Sequence, residues 1–197
     1  MEEERCSFTY QSAEPYPPTR TDGRNQRYGV AMLDNMGGCN SEMSAVSLYC
    51  YDRLVTAGIP ELAECFHHIS MVEMRHLEIF GTLALQLGMD PRLWTARQGR
   101  RTWWTPEYNH YPRKLGPLLQ NALREERATI QKYENQLRWI RDSGVAENLR
   151  RIIVDEKLHV DILRTLLESY AGNGLMSTAA MERIRSASDS GTAPARR

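Results

Sequence analysis

The sequence predicts an all-α protein, a four-helix bundle made of two antiparallel helical hairpins joined by one long crossover. Three observations carry that expectation. Four stretches place apolar residues at steps of three and four, the mark of a helix with one buried face, and no stretch alternates convincingly with period two. Short connections around Gly58 and around Ser143 and Gly144 make antiparallel neighbours, whereas residues 88 to 116 are long enough to run the length of the bundle. The halves also repeat: Tyr49 follows Glu42 by seven residues and Tyr133 follows Glu126 by seven, while Glu42 precedes Glu73 by 31 and Glu126 precedes Glu156 by 30.

The elements follow in order. Residues 1 to 25 contain "EPYPPTRTDG", whose prolines and polar residues suggest an extended arm and not a packed element. The bundle domain spans residues 26 to 171, opening with a short helical piece around 28 to 35. The first bundle helix covers about 41 to 57, capped by Ser41 or Asn40. The second covers about 60 to 87, with Pro60 in its first turn and Gly88 after its end. It would be about 40 Å long at 1.5 Å per residue. The third covers about 117 to 141 and the fourth about 145 to 170. No sheet is expected. Residues 172 to 197 form a flexible tail rich in Gly, Ser, Ala and Arg, with a short helix around 178 to 185.

Composition narrows the function. Hydrophobic residues make up 41 % and charged residues 25 %, the balance of a globular chain, and the formal net charge is zero. No basic stripe favours nucleic acid, and no apolar run reaches the roughly 18 residues that a membrane helix needs. The acidic start, "MEEERCSFTY", is unlike a secretion signal, so a cytoplasmic location is expected. Cys6, Cys39, Cys50 and Cys65 have no Cys-x-x-Cys spacing, which argues against zinc-ribbon and rubredoxin-type iron sites and for buried or half-buried thiols.

The inner stripes carry the chemistry. The second helix reads Leu62, Phe66, Ile69, Glu73, His76, Phe80, Leu83, Leu87. The third reads Leu119, Leu123, Glu126, Ile130, Tyr133, Leu137, Ile140, and the fourth Leu149, Ile152, Glu156, His159, Leu163, Leu166, Tyr170. The first is less tidy, because Glu42, Val46 and Tyr49 lead on to Arg53. Counted from each turn, four carboxylates and two imidazoles reach about one level: Glu42, Glu73, His76, Glu126, Glu156 and His159. One unpaired buried carboxylate costs several kcal/mol, and four together also repel. Two divalent cations would cancel four negative charges. Mixed imidazole and carboxylate suits iron, manganese or zinc better than calcium. A lone Glu-x-x-His is mostly a surface feature; two of them, with matching upstream Glu and Tyr, point to a dimetal site of the kind found in carboxylate bundles.

Neighbouring residues extend the site. Asp155 is placed to accept a hydrogen bond from the outer nitrogen of a ligand histidine, against the alternative of an ordinary helix acid. Tyr49 and Tyr133 either bond to ligand carboxylates or simply pack. Glu125 rivals Glu126 in register but leaves the stripe. His67 and His68 flank core positions and read as partly exposed, and His110 has no evident partner. Trp94, Trp103, Trp104, Tyr108 and Tyr111 are expected to pack the crossover onto the bundle or onto a sister subunit, and homo-oligomerisation is expected to cover exposed aromatics.

Through "LDNMGGCNSEMSAVSLY", "EMRHLEIF" and "DEKLH", the sequence over residues 28 to 170 resembles the ferritin-like superfamily, in the branch of rubrerythrins, manganese catalases and related spore-coat proteins. The resemblance implies two divalent metal ions, iron or manganese, and a reaction with peroxide or dioxygen. It implies Glu42, Glu73, His76, Glu126 and His159 as metal ligands, with Glu156 a further ligand or a nearby proton-transfer base. Two departures stand out. No C-terminal rubredoxin-like module is present, and Thr129 occupies the place where rubrerythrins carry an extra Glu three residues after the third-helix ligand. The expected function is therefore a dinuclear oxidoreductase acting on hydrogen peroxide, catalase- or peroxidase-like, in which Glu156 moves protons. The alternatives are a ferroxidase or iron-handling protein, and a structural coat protein with a vestigial metal site.

Overall fold

The structure, a computed structural model, describes residues 8–97 and 99–171. Five helices and one small hairpin make up these residues: α1 (Gln26–Gly37), α2 (Glu42–Val55), α3 (Pro60–Gln86), β1 (Trp94–Arg97), β2 (Arg100–Trp103), α4 (Leu115–Leu137) and α5 (Ser143–Ala171). Helices α2 and α3 pack as one hairpin and α4 and α5 as the other, with α1 lying against α3. The expected all-α, ferritin-like bundle is the observed architecture. Among the described residues, no helix is long and apolar enough to cross a membrane.

Local chemistry explains where the helices begin and end. Ser41 caps α2 by accepting a hydrogen bond from the Ser44 backbone N–H. Pro60 opens α3, where its missing N–H costs nothing. Helix α4 starts two residues earlier than expected, because Pro117 is tolerated within a first turn. It also ends earlier, at Leu137, since the chain must turn for Asp142 to accept from the Val145 N–H at 3.0 Å and start α5.

Two apolar clusters form the core. One gathers Leu33, Phe80, Leu83, Tyr133, Leu149 and Ile152, and the other Tyr49, Phe66, Ile69, Leu119, Leu163 and Leu166. The stripes of the second, third and fourth bundle helices supply members of both, the first supplies Tyr49 to one, and the acids and imidazoles sit at the level where the stripes break. In α2 the stripe takes a three-residue step from Tyr49 to Asp52, which is fully buried, and Arg53 points outward.

Three expectations are corrected. The crossover is not free of sheet: β1 and β2 pair antiparallel, with Trp94 opposite Trp103 and Thr95 opposite Thr102. Four-residue strands rich in Arg and Thr are too short to show a period, but Gly99, whose φ is 75°, is a hairpin signal just before β2. The residues from 8 to 25 are extended yet packed, held along the bundle mainly by backbone hydrogen bonds (below). Among the described residues, Cys39 and Cys50 are exposed free thiols and Cys65 is buried. The aromatic crossover packs mostly onto its own bundle: Trp94 joins the core, and the Trp104 indole N–H donates to Ser44 Oγ at 3.0 Å. Cys6 and the short helix expected around 178 to 185 lie outside the described residues.

Candidate metal centre

Helix periodicity brings the six residues together. Glu42 opens α2, Glu73 and His76 sit three apart on α3, Glu126 lies in α4, and Glu156 and His159 sit three apart on α5. All six are buried, Glu126 the most exposed at 3 %. They form two overlapping groups, Glu42–Glu73–His76–Glu156 and Glu73–Glu126–Glu156–His159, each with one ligand atom per residue and all such atoms within 4.8 Å. Glu73 and Glu156 belong to both groups. Glu125 is only partly buried and outside both, so the register favours Glu126. His67, His68 and His110 are also outside both groups.

The two imidazoles are aimed from behind. His76 Nε2 lies 3.2 Å from Asp155 Oδ2 and 3.3 Å from the Tyr16 hydroxyl, which itself donates to Asp155 Oδ2 at 2.6 Å. His159 Nε2 lies 2.9 Å from the backbone carbonyl of Tyr10. Carboxylate and carbonyl oxygens only accept, so each Nε2 carries the proton and each Nδ1 turns inward. There His76 Nδ1 lies 3.1 Å from Glu73 Oε2 and 3.3 Å from Glu156 Oε1. His159 Nδ1 lies 2.9 Å from Glu73 Oε1, 3.4 Å from Glu156 Oε2 and 3.8 Å from Glu126 Oε1. Asp155 thus lies within hydrogen-bonding distance of the outer nitrogen of His76.

The tyrosines cross between hairpins. Tyr133 of α4 donates to Glu42 Oε1 of α2 at 2.5 Å, and Tyr49 of α2 donates to Glu126 Oε1 of α4. Each orients one outer carboxyl group by a hydrogen bond across the bundle, so the repeated Glu–Tyr spacing serves bonding as well as packing.

Electrostatics separate inner from outer acids. Burial, then the charges of Glu73 and Glu156, push Glu42 well above the usual carboxylate range; burial, Glu156 and Glu73 do the same to Glu126. Burial also opposes ionisation of Glu73 and Glu156, but the imidazoles of His76 and His159 close beside them outweigh it and hold both low. Burial disfavours the imidazolium of His159, yet Glu73 and Glu156 raise its pKa to about 9; His76 is likewise raised, by Asp155, Glu156 and Glu73. Without metal the cluster is neutral: two protonated acids, two carboxylates and two imidazoliums.

The residues fit two divalent ions. Glu73 Oε1, both oxygens of Glu156 and His159 Nδ1 are buried without a hydrogen-bond partner, and all belong to the two groups. Buried lone pairs facing one another require cations or protons between them. Two divalent ions replacing one proton each from Glu42, Glu126, His76 and His159 leave the net charge at zero. Iron and manganese both suit this donor set.

A hollow leads toward the site. A surface cavity of about 680 Å³ is lined by Cys39, Asn40, Tyr108, His110, Arg124 and Glu125 among others. A cleft of about 20 Å³ shares Cys39, Asn40 and Glu125 with it and reaches Tyr49, Thr129 and Glu126. Thr129 donates to Asn40 Oδ1 at 3.2 Å inside this cleft.

Several contributors were not expected from the sequence. Arg151, 5 % exposed, donates from Nη1 to Asp155 Oδ1 at 2.6 Å; its place four residues before Asp155 was the available signal. Tyr16 and the Tyr10 carbonyl come from the arm, and a backbone carbonyl leaves no mark in a sequence.

Comparison with known proteins bears on the family and the fold. The rubrerythrin family model matches residues 36–167. Two crystal structures of KatB, a manganese catalase from Anabaena, superpose with TM-scores of 0.72 and 0.73 at 20 % identity. They cover 83 % and 86 % of this chain and 81 % and 83 % of theirs. A bacterioferritin from Rhodobacter capsulatus, with a metal-free dinuclear site and heme iron, superposes with a TM-score of 0.64 at 20 % identity, over 77 % of this chain and 90 % of its own. At such identity the likeness concerns the fold alone. No curated protein matches the sequence significantly.

Proposed function

Since the chain belongs to the rubrerythrin family, we propose that its buried cluster binds two iron or manganese ions and turns over hydrogen peroxide as a catalase-like oxidoreductase. The observation that carries this reading is the pair of four-donor groups sharing Glu73 and Glu156 around unpartnered inward lone pairs. Glu42 and His76 complete one ion's ligands, and Glu126 and His159 complete the other's. When bound, the metal pair would supply two-electron redox chemistry and a template for the peroxide oxygens.

The chain supplies positioning and protons. Disproportionation reduces one peroxide to two waters, taking up two electrons and two protons, and oxidises a second to dioxygen, returning them. We assign the proton transfers to Glu156, whose oxygens lie 3.3 and 3.4 Å from the two imidazoles. Tyr49 and Tyr133 hold the outer carboxylates in place through their hydroxyls. The cleft past Thr129 and Asn40 admits only a small molecule, which suits peroxide and excludes bulky reductants. We extend the proposal to a homo-oligomer that covers Trp103, which is 50 % exposed.

Oxygen evolution from peroxide by the manganese-loaded and the iron-loaded protein tests the reading. Release of half an equivalent of dioxygen per peroxide, lost in Glu156→Gln, is the expected result. Iron oxidation without oxygen release would replace it with iron handling, and bound metal with neither activity would leave a coat-type protein.

A further inference from the structure

The groups that hold the outer nitrogens of both imidazoles come partly from a segment that precedes the family match, which begins at residue 36. On one side, the Ser12 N–H donates to Asp155 Oδ1 at 2.7 Å while Tyr16 donates to Oδ2 at 2.6 Å, and His76 Nε2 faces both Oδ2 and the Tyr16 oxygen. Arg151 clamps the segment there. Its Nε donates to the Glu14 carbonyl at 2.8 Å, its Nη2 to the Ser12 carbonyl at 3.0 Å, and its guanidinium lies 4.3 Å from the Tyr16 ring. On the other side the Tyr10 carbonyl accepts from His159, and the Tyr10 ring stacks on His68 at 4.8 Å.

Further along, the arm is tied down independently of the site. Asn148 donates to the Pro18 carbonyl at 3.3 Å, Gln86 to the Thr19 carbonyl at 2.7 Å, and the Ser143 N–H to Asp22 Oδ2 at 3.1 Å. Gly144 lets the Arg20 carbonyl pass where a Cβ would collide with it. The arm is therefore seated along α5 and α3, and its course delivers Tyr10 and Tyr16 to the two histidines.

We propose that this arm completes the metal site, with Tyr16 the positioning residue for His76 and the Tyr10 carbonyl the positioning group for His159. The inference rests on the dimetal reading above. An imidazole whose outer N–H is held by an oxygen acceptor is fixed in tautomer and orientation and becomes a better ligand, and loss of such support typically costs 10- to 100-fold in metal affinity. Here each support acts on a different ion. Coupling is reciprocal, so metal binding also tightens the docked arm.

The test uses the full chain and Mn²⁺. Titration followed by the EPR signal of the free ion gives two stepwise dissociation constants, and hydrogen exchange at residues 8 to 16 reports arm docking. Tyr16→Phe is expected to weaken one constant about tenfold and spare the other. Tyr10→Ala, which removes the stacking anchor of the carbonyl, is expected to weaken the other constant. Mn²⁺ is expected to slow exchange in the wild-type arm. Two constants within twofold of wild type in both variants, with arm exchange accelerated, would show a packing role only and overturn the inference while the site stands. Wild-type protein that takes up no Mn²⁺ would overturn the site reading and this inference together.

Discussion

Glutamine substitutions at Glu42, Glu73 and Glu126 separate the two metal positions, because the groups share Glu73 but not the other two. Gln keeps side-chain volume and removes the anionic ligand, so the core stays filled. At a metal concentration 100 times the dissociation constant, each filled position stabilises the fold by about 2.7 kcal/mol. Two positions give about 5 kcal/mol, which in a chain of this size raises Tm by roughly 10 to 20 °C. Glu42→Gln is expected to keep one metal equivalent and about half of that shift, and Glu126→Gln the same. Glu73→Gln is expected to lose nearly all of both. The metal-free variants should differ too. Glu42 is already protonated there, so Gln replaces a neutral acid at little cost. Glu73 faces both imidazoles as a carboxylate, and its loss leaves buried positive charge, a destabilisation of about 3 to 5 kcal/mol. Elemental analysis after desalting and calorimetric scans with and without Mn²⁺ measure both quantities. Equal metal content in all three variants would refute the shared-ligand geometry.

Three further outcomes are expected. Metal binding near pH 7 should expel close to four protons per pair of ions, one each from Glu42, Glu126, His76 and His159, and affinity should rise steeply up to about pH 9, where His159 loses its proton unaided. Calorimetry in buffers of different ionisation enthalpy counts them, and a count near zero would contradict the charge assignment. Asp52, buried with neither carboxyl oxygen hydrogen-bonded, has its pKa pushed up to about 8 by desolvation. The folded state therefore binds the extra proton, and its contribution to stability is full below the ordinary value of 3.8 and is lost as pH rises through about 8. The full span is worth roughly 5 kcal/mol; Asp52→Asn should flatten denaturant stability between pH 5 and pH 8, and an unchanged slope would place the titration elsewhere. Thr129→Leu should fill the small cleft and slow both Co²⁺ uptake and peroxide turnover at least tenfold without changing the final metal content. Unaltered uptake would point to another route.

Much of the bundle was legible because its cause repeats along the chain. A buried helix face imposes a step of three or four at every turn, and an acid on that face is conspicuous because it is expensive. Glu73, His76, Glu126, Glu156 and His159 could be placed at one height by counting from Gly58 and Ser143, since antiparallel helices rise equally per residue. Glu42 and the two tyrosines followed from the repeat between hairpins. In α2 the counting failed after Tyr49, where steps of four and three pass to Arg53 and Asp52, and a charged residue at each gave no apolar preference to choose between them. Burial chose Asp52, at the cost of keeping its carboxyl neutral.

What stayed hidden has a different physical origin. The bonds that aim the histidines join residues 60 to 149 apart in sequence, apart from those within helices, and several use main-chain atoms: the Tyr10 carbonyl, the Ser12 N–H and the Glu14 carbonyl. Every residue type carries those atoms, so no pattern of side chains announces them. The prolines of the arm predict an extended segment and not a packed element. They serve equally to keep a chain extended while it lies in a groove, because an extended backbone turns its N–H and C=O groups outward for partners such as Arg151, Asn148 and Gln86. The same property that withholds the arm from regular secondary structure makes it able to bond behind two buried histidines, where the buried cation of Arg151 balances the charge of Asp155.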